Sequence, residues 1–279
     1  DTYVEGNHFL NFKNPKLVIK KIIRSSISDL ICKGVEPKFY FISGSGNQKS
    51  FSKKNLLAIS NSLKQEQKKY NISLCGGDTT YSNKLIFSIT SVGYSKNIIY
   101  RNKAKLNDDI YVTGNLGDSF VGLKILKNKI KFRKRVNNYF INKYYHPDIQ
   151  IPLAKKLLKF ANTSIDISDG LIADLDKMLN NLNCSYQIYE DKIPISKYLS
   201  ELIKKNKLKK SKLISNGDDY QILFTASTSK SRIIQRTSRI LDIKITKIGK
   251  IISGKKKSSI LDQKGKQILL KNKGYIHQF

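Results

Sequence analysis

Apolar positions along this chain recur in two alternating periods. Residues 16–33 carry Leu17, Val18, Ile22, Ile23, Ile27, Leu30 and Ile31 at helical spacing, and Gly34 stops the run. A strand is expected at 37–43. A helix follows at 53–70, with Leu56, Leu57, Ile59 and Leu63 as its inward stripe. A short strand at 72–75 ends in Gly76-Gly77-Asp78, and a longer one spans 85–94. The polar stretch 96–109 interrupts the alternation. It sets a domain boundary near residue 105, giving units 1–105 and 106–279.

The second unit starts with a strand at 110–113 and a turn at 114–117, after which Asp118 or Ser119 can cap a helix to Leu126. Residues 128–142 read as basic, polar and exposed. Helices are expected at 151–160, 171–182 and 229–241, and strands at 164–167, 186–189, 220–226 and 247–252. The stretches 204–212 and 254–258 read as lysine-rich connections. The whole reads as an α+β chain in two domains.

Composition changes this picture little. The formal charge of +31 suggests a nucleic-acid footprint, but of 52 basic residues only seven are Arg, so 52 − 7 = 45 are Lys. Arg is the residue of bidentate base and phosphate contacts, and these lysines are spread along the whole chain. They read as solvated background that attracts anionic ligands, with no specific nucleic acid as partner. Cys32, Cys75 and Cys184 lack metal-site spacing and cannot pair without a remainder, so reduced thiols in the cytoplasm are expected. No apolar run reaches the length of a membrane span.

With only 21 acidic residues, their placement is informative. Asp1, Asp29 (SISDL), Asp78 (CGGDTT), Asp166 and Asp169 (SIDISDGL), and Asp218 and Asp219 (GDDYQILF) fall mostly at strand ends beside Gly or Ser. Magnesium, a hard cation, takes one or two carboxylates per ion and completes its shell with water and phosphate oxygens. Glycine beside each Asp lets backbone N–H groups approach phosphate. Positioning and charge neutralisation carry most of phosphoryl transfer, and Arg101 is one of few Arg free to help. The pattern therefore points to a Mg-dependent, ATP-using phosphotransferase. Capping alone explains Asp118 as readily as function does, Asp169 less readily; a turn role explains Asp78 less readily than function; His8 reads as structural as readily as functional, and His146 and His277 look unremarkable. P-loop, GxGxxG, HExxH and GxSxG signatures are absent.

Seven segments in order, DTYVEGNHF, SISDLICKGVEP, CGGDTT, YRNKAKLNDDIYVTGNLGDSFVGL, SIDISDGL, GDDYQILF and KGYIHQF, together resemble the thiamine-monophosphate kinase family over essentially the whole chain. The resemblance implies the two-domain fold of the aminoimidazole ribonucleotide synthetase superfamily. In that fold the N-terminal domain forms a β-barrel across a homodimer and the C-terminal domain is an α/β sandwich. It implies ATP and thiamine monophosphate as substrates and several Mg ions. Carried over by position, Asp1, Thr2, Asp29, Asp78, Asp166 and Asp169 are implied metal ligands. Gly77, Asp78, Arg101 and Ser168 are implied ATP contacts, and His8, Asp218 and Tyr275 substrate contacts. The family also carries some forty residues ahead of Asp1, with a Gly-Asp-Asp metal loop. Asn216 stands where the family usually has Gly, and Asp218 where many members have Glu. Two alternatives stay open: another ATP-dependent enzyme of the superfamily, and a lysine-rich nucleic-acid-binding protein.

Overall fold

The computed structural model describes residues 1–205, 207–270 and 272–275. The first unit contains β1 (Thr2–Val4), α1 (Pro15–Cys32), β2 (Glu36–Gly46), α2 (Lys53–Tyr70), β3 (Ser73–Tyr81) and β4 (Ile86–Tyr94). Its sheet runs β1-β4-β2-β3 and is antiparallel except at β2–β3. The second sheet is built from β5 (Asp109–Thr113), β6 (Thr163–Asp166), β7 (Cys184–Tyr189), β8 (Ile222–Ala226), β9 (Ile245–Ser253) and β10 (Ser259–Leu261). It runs β10-β7-β9-β5-β8-β6, antiparallel except at β10–β7. The remaining helices are α3 (Asp118–Leu126), α4 (Lys134–Tyr145), α5 (Ala154–Leu157), α6 (Leu171–Met178), α7 (Lys197–Lys204), α8 (Lys210–Ile214) and α9 (Ser231–Leu241). This is the α+β architecture the sequence predicts.

Helix α1 lies between the sheets, packed on β4 and β2 on one side and on β6 and α4 on the other. Pro15 presets φ in its first turn. Gly34 ends it at φ 80°, where its N–H bonds to the Ile31 carbonyl and that of Val35 to the Leu30 carbonyl. Val18, Ile22, Ile23, Ile27 and Ile31 join Tyr3, Phe87 and Ile89 in one core, which continues into Tyr111, Tyr144 and Phe224 of the second unit. The opposite stripe, Lys21, Ser25, Ser28 and Cys32, is also buried, so hydrophobic burial alone does not place this helix.

Four expectations need correction. Leu56 and Leu57 are exposed, Leu57 to 64%. The buried positions of α2 are Ser62, Glu66 and Tyr70, a four-residue period in which two members are polar. Glu66 receives a bidentate bond from Arg24 of α1, and Ser62 donates to the Lys16 carbonyl. Second, β3 does not end at Gly76-Gly77-Asp78 but runs to Tyr81, paired with β2 throughout. Third, residues 128–142 are not exposed throughout. Phe132, Val136, Phe140 and Tyr144 recur every four residues and bury α4 against α3, with Phe140 fully covered. Fourth, neither Asp118 nor Ser119 caps α3: Gly117 occupies the N-cap, and the Gly117 and Ser119 N–H groups donate to Asp219 instead. Asp118 accepts from Ser196 (2.6 Å) and Tyr139 (2.7 Å).

Candidate active site between the sheets

Asp29 stands one turn before the end of α1, and Asp166 at the end of β6. The packing of α1 on β6 brings one oxygen of each, with the Cys32 sulfur, within 4.8 Å of one another. Ser28 donates to Asp166 Oδ2 at 2.8 Å, which restrains its side chain. Neither carboxylate forms a salt bridge among the described residues. Burial, then the neighbouring Asp29 charge, raises the Asp166 carboxyl to about 7. Two close carboxylates without a salt bridge among the described residues are a donor set that fits a hard divalent cation. The predicted pair Asp29 and Asp166 is therefore brought together, across 137 residues of chain (166 − 29 = 137).

Asp1 reaches the same region through Tyr3, whose hydroxyl donates to it at 2.8 Å. Tyr3 is buried, and its phenol lies against Ser25 and within the field of Asp29, Asp166 and Tyr220. His8 sits edge-on to the Tyr3 ring at 6.1 Å, and its Nδ1 accepts from the Val4 N–H. Thr2 faces the other side of β1, hydrogen-bonded to Ser88.

Asp78 also occupies that other face. Register aligns Thr2, Ser88, Ser43 and Asp78 in one row across the first sheet, and all four are exposed. Three strand spacings, about 14 Å in all, separate Thr2 from Asp78. The buried residues of the alternate rows, Phe87 and Ile89, face α1. Gly77 lies so close to β2 that a Cβ would stand 1.8 Å from the Ile42 carbonyl oxygen. Asp78 and Gly77 are thus not gathered with Asp29 and Asp166 within this chain. Arg101 is exposed in the connection after β4, near enough for its charge to act on Cys32 and Lys33.

Two loops close the far side. The loop Ile167–Gly170 wraps the Asp174 carboxylate, which accepts from the Ser168, Asp169 and Gly170 N–H groups at 3.0, 2.9 and 3.1 Å. Lys177 joins Asp169 to Asp174. The second loop, Asn216–Tyr220, lies against the first: the Asp218 N–H bonds to the Ser168 carbonyl and the Tyr220 N–H to that of Ile167. A Cβ on Gly217 would stand 1.9 Å from the Ser168 carbonyl oxygen, so only glycine fits. Asp218 and Tyr220 both take left-handed backbone, φ 71° and 51°. That turns Asp218 towards Lys21 of α1, 2.6 Å away, while the Lys21 ammonium also lies 4.0 Å over the Tyr144 ring. Burial lowers the Lys21 pKa, opposed by Asp218.

The Tyr275 N–H donates to the Asp169 carbonyl at 2.9 Å, and its ring is exposed. His277 and the rest of the terminal KGYIHQF motif after Tyr275 lie outside the described residues. Sequence reasoning missed Lys21, Tyr3, Tyr220 and Asp174. One signal was available for Asp174: an acid in the first turn of a helix that follows a Gly-bearing loop.

Residues 1–95 match the family model of the AIR synthase related protein, N-terminal domain. The chain is 36% identical to the thiamine-monophosphate kinase of Buchnera aphidicola subsp. Schizaphis graminum, covering 99% of this chain and 85% of that protein. It is 29% identical to the Bacillus subtilis enzyme of the same name over 99% and 86%. Among solved structures, it is similar to the thiamine monophosphate kinase of Aquifex aeolicus (TM-score 0.82, 28% identity, 96% of this chain and 87% of that one). It is also similar to AaThiL complexed with AMPPCP and TMP (TM-score 0.85, 28% identity, 99% and 85%). The hydrogenase maturation protein HypE of E. coli shares the fold at 15% identity, with a TM-score of 0.73 over 98% of this chain and 84% of that one.

Proposed function

This chain belongs to the thiamine-monophosphate kinase family, and on that premise we propose how its residues share the work. It transfers the γ-phosphoryl group of ATP directly to thiamine monophosphate, giving thiamine diphosphate. The observation that carries our reading of the site is the Asp29–Asp166 pair, two carboxylates without a salt bridge among the described residues, brought together from helix α1 and strand β6. We assign Asp29 and Asp166 as ligands of Mg2+, with Asp1, Asp78, Asp169 and Thr2 completing a cluster of ions. Magnesium there would neutralise phosphate charge.

The chain's own groups then do the positioning. Ser28 restrains the Asp166 side chain. Asp174 fixes the loop that carries Ser168 and Asp169, which we assign to ATP and metal, and Gly77 and Arg101 take the remaining phosphate contacts. His8, Asp218 and Tyr275 hold thiamine monophosphate. A carboxylate at 218 suits its cationic ring, and Tyr275 offers an exposed aromatic face.

We further propose a homodimer in which the first sheets of two copies form a shared barrel, with domains meeting near residue 105. Phe39 and Phe41 of β2, on the same sheet face as Ser43 and Asp78, and Tyr94, edge-on to Phe39, form an exposed apolar surface that supports this. Asp78 lies on the same open face, so a second copy can bring it to the site. We place the enzyme in the cytoplasm, on its three free thiols. Among the described residues no helix is long and apolar enough to cross a membrane.

The test is incubation with ATP, Mg2+ and thiamine monophosphate. Thiamine diphosphate is expected, and none should form in EDTA. Turnover of a different acceptor, with no thiamine diphosphate, would overturn the substrate.

A further inference from the structure

Cys32 lies three residues after Asp29, on the same face of the last turn of α1. Its side chain is fully buried, and its S–H donates to the Asp29 carbonyl at 3.2 Å. The sulfur belongs to the apolar core around α1, yet two carboxylate oxygens lie within 4.8 Å of it. A third polar group faces the same place. Ser164 precedes Asp166 by two residues on β6, so both project towards α1, where Ser28 meets Asp166. The Ser164 hydroxyl is buried with no hydrogen-bond partner among the described residues.

We propose that Cys32 makes the Asp29–Asp166 pair a three-ligand site for a thiophilic divalent cation of the Zn2+ and Cd2+ class, which competes there with Mg2+. The proposal rests on the metal-binding role assigned above to the two aspartates. Donor chemistry sets the selectivity. Magnesium takes oxygen ligands and gains nothing from a thiol, whereas zinc binds thiolate at about 2.3 Å and carboxylate at about 2.0–2.2 Å. Ligand atoms around a tetrahedral zinc then stand about 3.5 Å apart, so a separation of at most 4.8 Å closes by side-chain rotation. On binding, the Cys32 S–H bond breaks, the sulfur keeps the electron pair and forms the S–metal bond, and the proton leaves to solvent. Three anionic ligands around a dication leave one net negative charge. Lys33 and Arg101, the cations whose charges reach the thiol, offset it. Asp29 is only half-buried, which leaves an approach from solvent.

The test titrates Cd2+ into the full chain without Mg2+ and follows the ultraviolet thiolate-to-cadmium band. The expected result is one equivalent bound with a raised Tm, since the ion binds the folded state. Cys75→Ser and Cys184→Ser should keep the band, and Cys32→Ala and Cys32→Ser should lose it. In the Mg2+-supported reaction, Zn2+ should inhibit Cys32→Ala, relative to its own rate, only at about tenfold higher concentration. A band that survives in both Cys32 variants overturns the proposal. So does a Tm lowered by Cd2+, which would mean binding to unfolded chain. Kinase activity with no Cys32-dependent band sinks this proposal alone. The band without thiamine monophosphate phosphorylation sinks the assigned activity alone.

Discussion

Lys21, with 1% of its side chain exposed, sets its ammonium 2.6 Å from Asp218, 197 residues away in the chain. The pair ties α1 to the loop assigned to the substrate. Lys21→Met should leave a half-buried carboxylate against two aromatic rings and cost about 1–3 kcal/mol of stability. It should also raise KM for thiamine monophosphate more than it lowers kcat. Lys21→Arg keeps the charge and should recover part of both. Urea unfolding and steady-state kinetics check this, and an unchanged midpoint in Lys21→Met would refute it.

Asp166 predicts a pH effect on the metal-free chain. Its carboxyl is raised to about 7 when folded and titrates near about 4 when unfolded. Between these values the folded chain holds a proton that the unfolded chain has lost, so stability falls as pH rises through that window. Asp166→Asn keeps an acceptor for Ser28 and carries no charge. In EDTA it should match the parent near about pH 4 and exceed it by about 1–4 kcal/mol near about pH 8. Equal stability gaps at the two pH values would contradict this. The variant should have no kinase activity.

Gly217→Ala tests the clasp between the two loops. The added methyl would meet the Ser168 carbonyl at 1.9 Å, so one loop must move. Activity should fall by about 100-fold, because a displacement near 1 Å costs that much in a positioned reaction. Near-normal turnover would show that the loops need not touch.

Asp78→Asn changes an exposed residue whose carboxylate, among the described residues, accepts only from its neighbour, the Thr79 N–H. Tm should stay within about 1 °C of the parent, while kcat falls by at least about 100-fold. Full activity would remove Asp78 from the metal site.

Phe41→Glu places a charge on the exposed apolar face of the first sheet. Sedimentation should show dimer in the parent and a shift towards monomer in the variant. A monomeric parent would end the barrel proposal.

Much of the fold was legible because strand and helix periods alternate cleanly, as at α1, β4 and α9. Legibility failed where polar side chains do the packing. In α2, Ser62 and Glu66 mark the buried face, and neither carries a hydrophobic signal. In α4, the stripe from Phe132 to Tyr144 was masked by the Lys, Arg and Asn between its members. At the site, Asp29 and Asp166 stood out because acids are few. Lys21 did not, since one buried lysine among 45 looks like the rest. Asp219 was visible as an acid, but its capture of the α3 N–H groups depends on a contact 102 residues away.

Helix α1 carries Lys21 at the substrate end and Asp29 at the metal end, eight residues apart (29 − 21 = 8). At 1.5 Å per residue that is about 12 Å along one rigid axis. Both sheets and the Arg24–Glu66 pair grip this rod, so the interval cannot stretch without breaking the core. On the site assignment proposed above, the helix acts as a ruler: it gauges how far a ligand's ring stands from its phosphate, and a shorter or longer molecule would fill one end and miss the other.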